Sequence, residues 1–259
     1  MGKDELIKLA KSLMEETLYA RAYKDILDQH RDLHPKYYVE LRLSPAFYNI
    51  NKMALFEALM MRLARIFDNK DNSAGIGYLM KQAQNCIEMF PKNRGEYIFE
   101  SDGQKCRVIF PLKHLLRECE KCYFKEKVQQ AESFQAIASA ISGLPQQELR
   151  IEVTVDELFV MYRNRLASLG KIIDNLRTQR NKIYTHNDRK TNFDVGSVYT
   201  DSPLYYKDID TLLEFAQDFT IFCYESLSGE NGWRQFGNID DWENTLMYAK
   251  KGIESSNSE

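Results

Sequence analysis

Tyr162, Leu166, Leu169, Ile173 and Leu176 step by four, three, four and three, which places them on one face of an α-helix. The same rhythm recurs in Leu6, Ala10, Leu13, Thr17 and Ala20, in Met53, Phe56, Met60, Leu63 and Phe67, and in Ile209, Leu212, Ala216, Phe219 and Cys223. A helix with one apolar stripe must bury it against another element. Four such segments in one chain of 259 residues limit it to a bundle of helices around a common core. The fold class expected is all-α, as one domain over residues 1–253.

The boundaries follow from local chemistry. A first helix is expected over 3–30 and a connector over 31–43 around Pro35. Ser44 followed by Pro45 is a helix start, a cap residue and then a proline in the first turn. Leu55, Leu59 and Ile66 form a second stripe on that helix, so it is expected to be buried on most sides. A turn at 68–72 leads to a helix opening at Ser73 and closing near Phe90, before Pro91. Residues 95–110 alternate instead: Tyr97 and Phe99, then Cys106, Val108 and Phe110, flank Ser101-Asp102-Gly103. This is the period of a β-hairpin, expected as a small insertion. Helix returns over 112–142. The segment from 155 to 185 reads as one helix, about 45 Å long if unbroken. Some twenty residues without clear periodicity follow His186. A helix around 209–223, another over 240–253 and a frayed tail at 254–259 complete the chain.

The net charge of −3 excludes a protein that coats nucleic acid by bulk electrostatics, so any RNA binding must be local. No apolar run reaches the ~18 residues of a membrane helix. The amphipathic, partly acidic N-terminus is no signal peptide, and a cytoplasmic chain without membrane partners is expected. Cys86, Cys106, Cys119, Cys122 and Cys223 are an odd set, expected as free thiols. One CxxC at Cys119 and Cys122, even with His114 nearby, is a weak zinc signal, and neither metal nor cofactor is expected. His30 and His34 are four apart before Pro35 and read as a solvated helix end.

Continuing the stripe past Leu176 by the same count reaches Arg180 and then Ile183. A guanidinium on an apolar seam is costly unless it is paired or faces a wet groove. His186 follows Ile183 by three. On an ideal helix Arg180 and His186 lie about 9 Å apart along the axis and roughly 120° apart around it. They line two sides of a groove without touching. Spacing alone leaves a structural alternative open, with Arg180 paired to Asp174 or Asp188 and His186 at the negative end of the helix dipole.

The string LRTQRNKIYTHND, with R-N-K-x-x-x-H at the end of a long helix, resembles the HEPN superfamily and most closely its AbiU-type abortive-infection branch. MRLARIFD (61–68) and YYKDIDTLLEFAQDF (205–219) are similar to segments flanking the motif in that branch. The resemblance implies an up-and-down bundle of four or five core helices that dimerises, with motifs from two copies facing one cleft. It also implies a metal-independent endoribonuclease of phage defence or of a toxin–antitoxin system, with a cognate antitoxin or phage trigger as a further partner. Arg180, Asn181 and His186 match the motif positions. Thr185 stands where the branch often has a smaller residue. The hairpin and residues 111–145 fall outside the family frame.

The implied chemistry suits the residue types. Cutting RNA without a metal needs a base for the 2′-OH, an acid for the 5′-oxygen and a cation for charge on the phosphoryl oxygens. Histidine titrates near neutrality and serves in either proton role. Arginine offers phosphate a permanently charged planar fork. Asn181 stands four residues after Arg177, placed to orient a side chain or a phosphate oxygen. Arg177, Lys182, Arg189 and Lys190 would supply an RNA-binding field. Tyr184 and Phe193 are suited to stacking bases, against the commoner role of packing aromatics. The other expectation is a non-catalytic module of the same fold that binds RNA, a nucleotide or a protein while its motif serves dimerisation.

Overall fold

The computed structural model describes residues 1–69, 73–91, 95–101, 104–110, 117–142, 149–185 and 195–256. Among these are ten α-helices and one three-stranded sheet. In chain order they are α1 (Lys3–Leu33), α2 (Tyr38–Leu41), α3 (Pro45–Ile66), α4 (Ile76–Asn85), β1 (Gly95–Ser101), β2 (Gln104–Phe110), α5 (Glu118–Ser142), β3 (Leu149–Glu152), α6 (Val155–Ser168), α7 (Gly170–Gln179), α8 (Val195–Asp201), α9 (Tyr206–Ser228) and α10 (Trp242–Ser256).

In α1 the expected stripe is the buried one. Leu6, Ala10, Leu13, Thr17 and Ala20 of α1 face the core, where α1 packs on α3 and α9. From Phe219 to Leu227 every residue of α9 is buried, so this helix is the axis of the bundle. Around it Phe90, Phe159, Tyr162, Phe215 and Phe222 pack ring against ring, with Phe159–Phe222 centroids 5.5 Å apart and Tyr162–Phe222 5.0 Å apart. Such tilted contacts suit the aromatic quadrupole and add to plain area burial. The buried ammonium of Lys24 is met by Asp28 at 2.6 Å and by Asp210 of α9 at 3.1 Å.

The hairpin over 95–110 forms as expected, β1 and β2 being antiparallel with Tyr97 opposite Val108 and Phe99 opposite Cys106. Its inner face, Cys106, Val108 and Phe110, joins the main core through Phe124 of α5. A third strand was not expected: β3 runs parallel to β2, with Val108 opposite Ile151. Four residues, LRIE, are too short for a period-two signal, and what makes them a strand is the open edge of β2.

Several boundaries shift for local reasons. Ser73 does not open α4; its hydroxyl donates to the Asp68 carbonyl at 2.8 Å, and Gly75 precedes the helix. The helix expected to reach Phe90 gives way after Asn85 to a 3₁₀ turn over Ile87–Met89. Part of the segment expected to lack periodicity forms α8. The largest correction concerns α3. Its second half is buried through Leu59, Met60, Leu63, Ala64 and Ile66, but Phe47, Ile50 and Met53 of its first half are 62%, 65% and 64% exposed. The stripe exists along the whole helix, and nothing else among the described residues covers its beginning.

Candidate active site

The segment over 155–185 is not one helix. The amide of Leu169 donates to Leu166 instead of to the residue four back, and the Ser168 hydroxyl donates to the Arg165 carbonyl at 2.7 Å. A serine competing for a carbonyl next to a glycine is a known cause of kinks, and Gly170 begins α7 as a separate helix. After Gln179 the winding changes again, to a π-helical turn over Arg180–Thr185. A π turn closes its hydrogen bonds five residues back, and such turns concentrate at functional sites. Arg180 therefore stands on a π turn, and the azimuth expected between it and His186 involves a residue outside the described ones.

Below the turn, α7 presents polar groups to the interior. Asn175 and Gln179, four apart and buried, donate their amide nitrogens to the carbonyls of Pro203 and Ser202, both at 2.7 Å. They fasten the stretch entering α9 to the helix that carries the motif. Sequence reasoning missed this clamp. Its signal was present: after Leu176 the next buried position is Gln179, a step of three, whereas the count of four had pointed to Arg180.

The guanidinium of Arg180 is 18% exposed, and its Nη2 lies 3.8 Å from Oδ2 of Asp68, just beyond the end of α3. Its buried Nε makes no hydrogen bond. The partner is therefore Asp68, and not Asp174, which at 3.5 Å meets Arg177; Asp188 lies outside the described residues. Arg177 donates its Nη2 to the Phe67 carbonyl at 2.8 Å, closing the C-terminal end of α3. Two arginines of the motif segment thus converge on the end of MRLARIFD. Asp68 is held there by the close approach of Gly75 to its backbone. A Cβ on Gly75 would stand 2.2 Å from the Asp68 carbonyl oxygen and 2.9 Å from that of Ile66, so only glycine fits.

Asn181 and Lys182 are exposed on the π turn. Tyr184 is half-buried between Phe56 of α3, 6.3 Å away between centroids, and Tyr199 of α8. Burial first, and then the hydrogen bond with Tyr199, push its phenol well above the ordinary tyrosine range. That makes Tyr184 a packing residue in this arrangement. His186, Arg189, Lys190 and Phe193 lie outside the described residues, as does His114. Cys119 is half-buried with its sulfur 3.8 Å from the Tyr162 hydroxyl, whereas Cys122 is exposed. Burial, followed by the Asp218 carboxylate, pushes the Cys119 thiol up to about 12, so it stays protonated at neutral pH. Among the described residues no three His, Cys, Asp or Glu side chains gather as a metal site, and no helix is long and apolar enough to cross a membrane.

The arrangement can therefore bring a weakly tethered guanidinium to an anion beside an exposed amide and ammonium. Comparison with known proteins supplies the family. No curated protein and no solved structure matches the chain. A HEPN family model described as AbiU2 matches residues 3–245, taking in the bundle, the hairpin that the motif resemblance had left aside, and the turn that carries Arg180. The chain belongs to the AbiU2 family, an abortive-infection branch of the HEPN proteins.

Proposed function

We propose that the chain is a metal-independent endoribonuclease of bacterial phage defence or of a toxin–antitoxin system, cutting RNA in a cleft shared by two copies. The observation that carries this reading is the guanidinium of Arg180, which among the described residues meets one carboxylate, at 3.8 Å, and has a buried Nε left unbonded. An arginine so lightly tethered can turn its fork to a phosphate at little cost. In the proposed step His186 of one copy takes the proton of the 2′-OH. The 2′-oxygen bonds to phosphorus, the bond from phosphorus to the 5′-oxygen breaks, and the second copy's His186, as imidazolium, protonates the leaving oxygen. Arg180 offsets the charge building on the phosphoryl oxygens, and Asn181 orients them. Lys182, Arg189 and Lys190 supply the surrounding field, with a smaller part for Arg177, whose guanidinium already serves Phe67. A two-fold pairing requires each copy to give the same surface. The exposed Phe47, Ile50 and Met53 of α3 add apolar area to the motif side of the molecule.

The test is cleavage of single-stranded RNA by the purified protein in EDTA, leaving 2′,3′-cyclic phosphate ends. His186→Ala should lower the rate by about 10²–10⁴-fold, and Arg180→Lys should not restore what Arg180→Ala removes. Light scattering should find a dimer. Cleavage that needs magnesium, or toxicity untouched by His186→Ala, would sink the mechanism. One observation favours a second reading, a module that binds RNA, a nucleotide or a protein without cutting it: Asp68 already partners Arg180. Binding without cleavage under the same conditions would put that reading first.

A further inference from the structure

Where α1 ends against α2 and the beginning of α3, the surface folds into a cleft of about 570 Å³. That is within the usual size of a small-molecule site, about 300–1,000 Å³. Its lining has a one-sided charge. Eleven residues line it, of which His30, Arg31, His34, Arg42 and Lys52 are basic or histidine and none is acidic. Two of the four histidines of the chain are here, in a protein of net charge −3.

The plainest explanation of such charges is that they serve the fold, and for part of the set it holds. Arg31 is answered by Asp28 at 3.2 Å and Asp32 at 2.9 Å, and basic groups suit the negative end of a long helix such as α1. Arg42 and Lys52 are different. Neither lies on α1 or makes an ion pair among the described residues, and both are exposed. Arg42 leans on the Tyr38 ring at 5.6 Å, so its guanidinium is positioned without being neutralised. The field of Lys52 is felt across the cleft: burial, and then the Lys52 ammonium, hold the His30 imidazole below its ordinary value. The first turn of α3, which meets the cleft through Pro45, carries no acidic residue to offset the positive end of its dipole.

Beside these two cations stands an aromatic corner. The His30 ring stacks on Trp242 at 4.6 Å, and Tyr48 meets it edge-on at 6.1 Å. His30 is thus backed by Trp242 and braces Tyr48 edge-on, so a planar ring can stack on the Tyr48 face without ordering a loose side chain first. A pair of unneutralised cations next to a braced aromatic ring recognises a ligand that is anionic at one end and planar at the other.

We propose that this cleft binds a nucleotide unit, its phosphate held by Arg42 and Lys52 and its base stacked on the Tyr48 ring that His30 braces. The unit comes either as a free nucleotide or as part of a single strand. Lys52 and Phe56 are one turn apart on α3, and Phe56 touches Tyr184 of the motif turn, so a strand seated in the cleft would lead toward that turn. The site stands on its own lining and does not depend on RNA being cut at the motif.

The experiment uses the full chain and two probes. One is AMP, followed by calorimetry; the other is a short single-stranded RNA with 2′-O-methyl groups, which cannot be cut through its 2′-oxygen, followed by anisotropy. At least one probe should bind, more weakly as salt rises. Arg42→Gln combined with Lys52→Gln should weaken that binding by about tenfold or more, since each removes a charge-assisted contact. Both side chains are exposed, so the fold should survive, which circular dichroism checks. Tyr48→Ala should weaken binding and Tyr48→Phe should preserve it, because stacking needs the ring and not the hydroxyl. Loss for AMP identifies a free nucleotide as the occupant, and loss for the oligonucleotide alone identifies a strand. Failure of both probes to bind, or binding indifferent to the double substitution, would overturn the proposal. Arg180→Ala should cost less AMP binding than the double substitution does; a loss as large or larger would reassign AMP to the motif.

Discussion

Arg117 stands immediately before α5 and Arg180 immediately after α7, and both guanidinium groups are withdrawn from solvent by helices packed against them. Around Arg117 the carboxylates close in. Glu120 accepts from its Nε at 2.9 Å and its Nη2 at 2.6 Å, and also receives the Tyr162 hydroxyl at 3.0 Å. Glu225 of α9 lies 3.5 Å from the remaining Nη1, an ion pair without a hydrogen bond, and takes the Gly232 amide at 3.0 Å. Arg117 and Glu120 are 6% and 0% exposed. Around Arg180 the described residues supply one carboxylate, Asp68, at 3.8 Å, and the group is 18% exposed. The first arginine is spent on joining α5, α6 and α9, whereas among the described residues the second meets a single carboxylate at ion-pair distance. A buried charge is therefore no sign of function by itself; what distinguishes the two is how many of the five donors have been used.

The largest effect should appear where the paired charges are most deeply buried. Arg117→Met removes one charge and leaves Glu120 and Glu225 facing a dry interior, which should cost about 3–5 kcal/mol in urea denaturation. Replacing Arg117, Glu120 and Glu225 together with apolar residues of similar volume should recover much of that loss, because the desolvation of all three ions is then relieved. A loss below about 1 kcal/mol for the single change would dissolve the contrast with Arg180.

The difference between the two arginines also marks the limit of what the sequence discloses. Periodicity identified the buried stripes of α1, α6, α7 and α9 and the alternation of β1 and β2, because those depend on neighbours along the chain. Arg117 went unremarked, since its partners come from α5, α6 and α9. Arg180 was noticed because it interrupts a stripe, but its partner was sought among nearby aspartates, whereas Asp68 is brought to it by the end of α3. The break at Leu169 was legible in Ser168 and Gly170, and the long apolar run outweighed it. The exposed beginning of α3 was not legible: a stripe says which side of a helix is apolar, and only the surrounding elements decide whether it is covered. The basic cleft is another product of assembly, drawing on α1, α2 and α3, so that His30 and His34 looked like a helix end and nothing more.

A smaller effect should come from the turn that sets Asp68. Gly75→Ala drives a Cβ into the Asp68 and Ile66 carbonyl oxygens, backbone atoms that cannot rotate away. The loop must shift, at about 1–3 kcal/mol, the usual range for overpacking. Arg180 would lose its tether in the process. If Asp68 merely restrains the guanidinium, RNA binding should persist or strengthen in this variant while stability falls. If Asp68 aims it, binding and stability should fall together, and titration with the uncuttable oligonucleotide decides between them.

The smallest effect on stability should belong to Arg180 itself. Its ion pair is long, at 3.8 Å, and both groups keep about a fifth of their surface in solvent, Arg180 at 18% and Asp68 at 20%. Pairs of that kind contribute about 0–1 kcal/mol. Against this stands a buried Nε without a hydrogen bond, whose desolvation Arg180→Ala would relieve. The two contributions oppose, so the variant should unfold within about 1 kcal/mol of the parent, on either side, while losing phosphate affinity. Arg180→Leu sharpens the question, because it restores the apolar stripe on which the arginine intrudes. A more stable, inactive Arg180→Leu protein would mean that the chain tolerates a cost in its fold to keep a guanidinium at this turn. A destabilisation approaching that of Arg117→Met would mean the reverse, and Arg180 would then belong with the arginines that only hold helices together.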